Sequence, residues 1–372
     1  MSTERERPIP SPKADADLPL QRRSLIQSAG LALGGAIVTG GRAVAAPQTP
    51  AAGSPDDATE DMAREVNNAF EGAYGRHTGY RRNHTKGVGA SGRFIGTPEA
   101  ARRSRSALFS GAPIEVVARF SVAGGDPNAE DSERSTRGLG LEFRLPGGAL
   151  HHITMLHTPM FFGAMPQTFL DKFRALAREA ATGKPDAARF KAFLASHPDH
   201  ASQAHFLAVN NPPPSYANCA FYGIHTFRFL DRHNKETLVR FRFVPRDGEQ
   251  TLSDEELAGA SGDFLIPRLF RRIQRGPIEW EMRIAIGEPG DSVVDPTILW
   301  PSNRREIVGG RLIIDRVVPD AQAGSFTINF DPLMMADGIA ATDDPILLFR
   351  SPSYAVSHER RLREGRPAPG TA

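Results

Sequence analysis

Near the C-terminus, the stretch RSPSYAVSHERR, residues 350–361, sets Tyr354 between Arg350 and Arg361. Pro352 and Ser353 fit the first turn of a helix, because the residue before a proline disfavours helical backbone. A helix starting there puts Tyr354, Ser357, His358 and Arg361 at i, i+3, i+4 and i+7, on one face. Arg350, just upstream, is then placed to fold back onto the phenol oxygen. A neutral phenol is a poor metal ligand, but adjacent guanidinium charge favours the phenolate, a hard donor suited to ferric iron. Spacing alone leaves two readings open: an iron ligand, and a hydrogen-bonded tyrosine in a salt-bridge network.

A second stretch, RRNHTKGVGASGRF, residues 81–94, holds His84 among polar residues and glycines. It reads as a loop rather than an amphipathic element, so His84 is either a base facing a ligand or a loop histidine satisfied by backbone. The strand–GxGxxG–helix and Walker spacings of nucleotide sites are not found. In a third stretch, Ala118-Arg119-Phe120-Ser121, strand alternation gives Arg119 and Ser121 the same face. A hydroxyl there can fix the tautomer of a histidine from behind.

These residues need a scaffold, and period-two alternation supplies one. It runs through 114–122, 139–145, 151–157, 225–231, 237–245, 278–286, 310–318 and 326–330. Turn-forming pieces such as Pro146-Gly147-Gly148 separate them. Eight strands with short connections predict an antiparallel sheet, most economically a closed barrel. Helical patterns lie at 60–73, around Phe169, Phe173, Leu176 and Ala180, at 188–195, at 254–259, and from Tyr354 onward. The class is α+β with a β-dominated core.

The 372 residues suit one large domain or two modest ones. Their 45 Lys+Arg and 43 Asp+Glu give a formal charge of +2, which offers no reason to expect nucleic acid as a partner. Cys219 is the only cysteine, which excludes an intramolecular disulfide and a cysteine-based zinc or iron–sulfur site. Arg22-Arg23, the Gly/Ala-rich run Ser28–Gly40 and Ala43-Val44-Ala45 read as a twin-arginine export signal over residues 1–45. The run is too short for a comfortable membrane span, so no stable membrane insertion is expected; an uncleaved N-terminal anchor is the alternative. Export by that machinery places the mature protein in the periplasm. Residues 46–64 read as a disordered linker, 65–365 as the folded core and 366–372 as a frayed tail.

The three stretches, in this order, resemble the haem catalase family. The family's R-x-x-H-A-K-G segment reads here Arg81-x-x-His84-Thr85-Lys86-Gly87. Its A-R-F-S strand reads Ala118 to Ser121, and its tyrosine helix reads Arg350-x-x-x-Tyr354-x-x-Ser357-x-x-x-Arg361. HTPMFF (157–162), YGIHTF (222–227), WP…GGRLIIDR (300–316) and FDPLMMADGI (330–339) correspond as well. The resemblance implies an eight-stranded antiparallel β-barrel with surrounding helices and haem b beside it. It implies His84 as the distal histidine oriented by Ser121, Tyr354 as the iron ligand, and Arg350 as the partner of its phenolate. It further implies Arg81, Arg119 and Arg361 on the haem propionates, Phe161 and Phe169 in the distal pocket, and Ser357 on the haem-bearing helix.

One departure bears on chemistry. The family places two asparagines before the T-P; here they are Leu156-His157. Alternation points Leu156 into the pocket, while a one-residue bulge would turn His157 inward instead. Other departures are Thr85 for Ala, Ser135-Thr136 for Asp-Pro and Ser357 for Thr. The chain stops soon after Arg361, without the C-terminal helical region of full-length catalases. It therefore resembles the minimal catalase-related peroxidases. That resemblance implies a peroxidase that reduces organic hydroperoxides, and hydrogen peroxide weakly, with a small electron donor through a ferryl haem. The alternatives are a true catalase, a haem-binding protein without turnover, and a haem-free barrel. Full-length catalases are tetramers, so a homo-oligomer stays open.

Overall fold

The computed structural model describes residues 55–365. Its strands are β1 Gly87–Gly96, β2 Pro113–Val122, β3 Arg137–Arg144, β4 Leu150–Leu156, β5 Phe221–Tyr222, β6 Phe227–Leu230, β7 Glu236–Pro245, β8 Ile278–Ile286, β9 Glu306–Pro319 and β10 Ile339–Ala341. Its helices are α1 Pro55–Tyr74, α2 Pro98–Ala101, α3 Pro166–Ala175, α4 Ala187–Ser196, α5 Ala201–Val209, α6 Asp254–Ala258, α7 Leu265–Ile273 and α8 Pro345–Glu364. The strands run β7-β5-β4-β3-β2-β1-β9-β8, and β8 pairs back onto β7. The result is an eight-stranded antiparallel closed barrel, with β6 and β10 extending it from the first half of β7.

Strand membership departs from the sequence reading in instructive ways. β1 lies in the stretch read as a loop, because glycines erase its alternation. They are there for close approach: a Cβ on Gly92 would collide with Ile313 across the β-bulge that offsets β1 from β9. Residues 326–330 alternate but form no strand; Gly324–Phe326 is a turn of 3₁₀ helix. The backbone carbonyls of Ser325 and Ile328 are turned to Arg81 instead. Helix α1 begins at Pro55, so the later part of the stretch read as linker is helical, supported by the Glu60–Arg64 pair one turn apart. The export signal, the start of the linker and the tail beyond 365 lie outside the described residues. Among the described residues, no helix is long and apolar enough to cross a membrane.

The alternation of β2 separates two environments. Ile114, Val116, Ala118, Phe120 and Val122 fill the barrel together with Phe94, Phe143, Phe243 and Trp280. Burying each large side chain contributes about 1.5–3 kcal/mol. Arg119 and Ser121 face outward. A second apolar cluster lies outside the barrel. It joins Val66 and Phe70 of α1, Leu170 and Phe173 of α3 and Ile346 and Phe349 of α8 to Leu156, Phe161 and Phe162. A large cavity lies between that helical layer and the barrel wall.

Candidate active site

Helix α8 starts ten residues before Tyr354, at the N-cap Asp344, whose Oδ1 accepts from the N–H groups of Ile346 (2.9 Å) and Leu347 (3.2 Å). Pro352 is therefore interior to the helix, not its opening turn; Asp344-Pro345 was the stronger start signal. The correction changes how the arginine reaches the tyrosine. Arg350 lies one turn before Tyr354 on the same helix, and its Nη2 donates to the phenol oxygen at 2.8 Å and to Thr154 Oγ1 at 2.6 Å.

Arg350 is itself held. His225 Nε2 accepts from its Nη1 (2.9 Å), and His225 Nδ1 meets Asp344 Oδ2 at 2.7 Å. Both Asp344 oxygens accept hydrogen bonds, so Nδ1 donates and Nε2 keeps its lone pair for the guanidinium. Burial, against the opposing pull of Asp344, lowers the His225 pKa to about 4, in keeping with a neutral ring. His225 and Asp344 escaped the sequence reading. The only signal was the match of YGIHTF, which carries no partner information.

His84 sits across the cavity from a different element, the loop before β1. Its backbone is left-handed, with φ 55°, which costs on the order of 1 kcal/mol for a residue with a Cβ. Neighbours enforce that conformation. Asn83 Oδ1 accepts from His84 N (2.9 Å) and Gly124 N (2.8 Å), and Arg119 Nη1 donates to His84 O (2.7 Å). Arg82 ties the loop to α1 through Glu71 and to α8 through Glu364, both at 2.6 Å. Ser357 Oγ accepts from Arg82 N at 3.2 Å, so this α8 serine anchors the histidine loop. The His84 ring places Nδ1 2.9 Å from Ser121 Oγ. With Nδ1–H donating there, Nε2 carries a lone pair toward the cavity. Burial, then the charges of Arg119, Arg350 and Arg81, lower its pKa to about 3. Gly138 is required beside it, because a Cβ there would come within 2.8 Å of the ring and of Ser121 Oγ.

Three more arginines converge near the same cavity. Arg119 forms a two-pronged ion pair with Asp320, both contacts 2.8 Å. Among the described residues Arg81 donates to two carbonyls, those of Ser325 (2.8 Å) and Ile328 (2.9 Å). Arg361 donates weakly to Ile328 O, and its buried Nη1 has no partner among the described residues. Burial and then the like charges of Arg119 and Arg361 hold the Arg81 pKa well below its usual value. Burial and Arg119 lower that of Arg361 to about 10. Three guanidinium groups near one carboxylate, which pairs directly with Arg119 alone, leave an unpaired donor and surplus positive charge. Both suit a ligand bearing carboxylates.

All ten predicted site residues, His84, Ser121, Arg81, Arg119, Phe161, Phe169, Arg350, Tyr354, Ser357 and Arg361, line one cavity of about 1730 Å³, its open mouth included. Leu156 lines it too, while His157 does not. The latter's Nδ1 accepts from Arg137 N at 3.0 Å, and its ring packs on Phe206. Plain alternation therefore holds, with no bulge. Phe161 and Phe169 stack at 5.9 Å between centroids.

The family model described as Catalase matches residues 76–366. The chain belongs to the catalase family. A catalase-related peroxidase of Synechococcus elongatus is 46% identical over 299 residues, covering 80% of this chain and 88% of that protein. One of Mycolicibacterium paratuberculosis is 31% identical over 303 residues, 81% and 95% of the two chains. The crystal structure of catalase A from Saccharomyces cerevisiae matches with a TM-score of 0.70 at 26% identity, over 89% of this chain and 68% of that one. Within the catalase family the chain falls with the catalase-related peroxidases, haem peroxidases of the oxidoreductase class. Haem suits this donor set. Tyr354 offers one oxygen ligand, and among the described residues no group of three or more His, Cys, Asp or Glu side chains is arranged to hold a bare metal ion. A macrocycle would fill the remaining positions, and the arginine cluster would take its carboxylates.

Proposed function

We propose that the chain reduces organic hydroperoxides to alcohols with a small electron donor, and handles hydrogen peroxide weakly, on haem b. Tyr354 would hold the iron, Arg350 its phenolate, and Arg81, Arg119 and Arg361 the propionates. Haem, when bound, supplies the redox chemistry, delivering two electrons to the O–O bond and regaining them singly from the donor. His84 takes the hydroperoxide proton on Nε2 and returns it to the departing oxygen, which leaves as an alcohol. An imidazole desolvated among arginines holds a proton poorly, which suits a group that accepts one and gives it back. Such acid–base help is worth roughly 10²–10⁴-fold. Ser121 keeps the ring in the tautomer and orientation that the transfer needs.

The observation that carries the substrate choice is Leu156 in the cavity wall, beside Phe161 and Phe162. A leucine cannot donate a hydrogen bond, so a second hydrogen peroxide molecule finds no anchor opposite His84. The alkyl body of an organic hydroperoxide finds an apolar surface instead. The test compares oxygen evolution from hydrogen peroxide with dye oxidation driven by cumene hydroperoxide. We expect slow oxygen release and brisk dye oxidation; rapid oxygen release would make the protein a true catalase, the reading that the intact His84–Ser121 pair favours. Leu156→Asn should gain oxygen evolution by about tenfold, the value of one restored hydrogen bond.

The proposal extends to export. Arg22-Arg23 would direct the folded protein to the periplasm with cleavage near Ala45. Recovery of a periplasmic form beginning near residue 46, lost in an R22K/R23K variant, is the expected outcome.

A further inference from the structure

The lining of the cavity carries six cationic side chains and no carboxylate. Five have evident work. Arg350 is bound to Tyr354 and His225, and Arg81, Arg119 and Arg361 cluster around Asp320. Arg134 donates to Asn211 at 2.7 Å, with Asp254 at 3.7 Å. Lys172, on α3, is the sixth. Its ammonium lies 3.8 Å from the centroid of Phe162 and 5.9 Å from that of Phe173, and it has no hydrogen bond or ion pair among the described residues. Two acids close to α3, its own Asp171 and Asp199 packed against Thr168, are engaged elsewhere. Asp171 accepts from Gln167, and Asp199 from Ala164 N and Thr168.

Packing does not call for this residue, since a leucine or methionine would cover the same rings. A cation held against aromatic faces recovers only part of its lost hydration. Burial lowers the Lys172 pKa to about 7, and an anion beside the ammonium would favour its charged form. The site offers a single point charge rather than a guanidinium fork, a match for a single carboxylate.

We propose that Lys172 determines specificity by receiving the carboxylate of an amphipathic hydroperoxide. The peroxide group lies at His84, the hydrocarbon body runs along Phe161, Phe162 and Phe169, and the anionic end meets the ammonium. This rests on the hydroperoxide reading above and names the class of substrate that the cavity prefers.

The haem-loaded enzyme is assayed with a long-chain fatty-acid hydroperoxide, its methyl ester and cumene hydroperoxide, as wild type, Lys172→Met and Lys172→Arg. Binding of the peroxide-free fatty acid, read from the haem absorption band, runs alongside. Lys172→Met should raise KM for the acid and weaken fatty-acid binding, each by about tenfold, the value of one charge-assisted hydrogen bond. The change should fall on KM rather than kcat, the ester and cumene hydroperoxide should shift far less, and Lys172→Arg should recover most of the loss. Equal shifts for acid and ester, or none in either assay, would overturn the proposal. Fatty-acid binding through Lys172 in an enzyme that turns over none of the three hydroperoxides would support this inference and sink the proposed function. Turnover of cumene hydroperoxide with no effect of Lys172 in either assay would do the reverse.

Discussion

On the tyrosine side of the cavity, Asp344, His225, Arg350 and Tyr354 form an unbroken chain of hydrogen bonds, each 2.7–2.9 Å long. On the histidine side, the His84 ring has one polar partner among the described residues, Ser121, and its surroundings include Leu156 and stacked phenylalanines. Under the proposed function, in which Tyr354 would hold iron and His84 would move a proton, the difference follows from what each wall must do. A ligand that carries fixed negative charge is stabilised by donors that cannot turn away, so its neighbours are held in series. A group that must accept a proton and return it needs a vacant lone pair and a poorly solvated charged state. The first wall is built by saturation, the second by omission.

The largest test of that contrast is His84→Ala. Hydroperoxide turnover should fall by roughly 10²–10⁴-fold while haem content and the ferric spectrum stay near wild type. Loss of haem in this variant would show that the two walls are not independent. Next comes Arg350→Met, which breaks the chain at its centre. Haem affinity should fall about 10–100-fold, as for other partners of a metal ligand, with a shifted Soret band; an unchanged spectrum would mean that the arginine does not act on the phenolate.

The smallest effect is on stability against pH. His84 and His225 have folded pKa values near 3 and 4, below the ordinary 6.5. As pH falls below that value the unfolded chain takes up protons that the folded chain refuses, so stability is present near pH 7 and lost on acidification toward the folded values. Unfolding free energies from urea titrations at pH 7 and pH 5 should differ by on the order of 1–2 kcal/mol per histidine. His84→Gln and His225→Asn should each remove part of that dependence. If neither does, these rings titrate as exposed histidines do.

Much of this site was legible because its parts are linear motifs. His84 stands in a polar, glycine-rich loop, Arg119 and Ser121 share a strand face, and Tyr354, Ser357 and Arg361 share a helix face, with Arg350 just upstream in the chain. What escaped was whatever depended on distant partners. His225 is 125 residues from Arg350 and 119 from Asp344, so nothing in its own neighbourhood marks it. β1 was hidden by glycines that make sense only once Ile313 is seen against them. Residues 326–330 have strand-like alternation, yet backbone carbonyls nearby are turned to Arg81 and Arg361, and a local pattern does not report such a competitor.

By itself the sequence determined the chemical inventory and its order: a tyrosine with an arginine four residues before it, a histidine with a serine to fix it, and most of the strands of a barrel. Those are consequences of period two and period 3.6, which are properties of the local backbone. Only the tertiary structure decided that Leu156 and not His157 faces the cavity, that three arginines converge where only Arg119 has a carboxylate partner, and that Lys172 lies against aromatic rings. These depend on where a closed barrel and a helical layer bring charges and apolar surfaces together, which is set by non-local packing and by the cost of burying a charge without a partner.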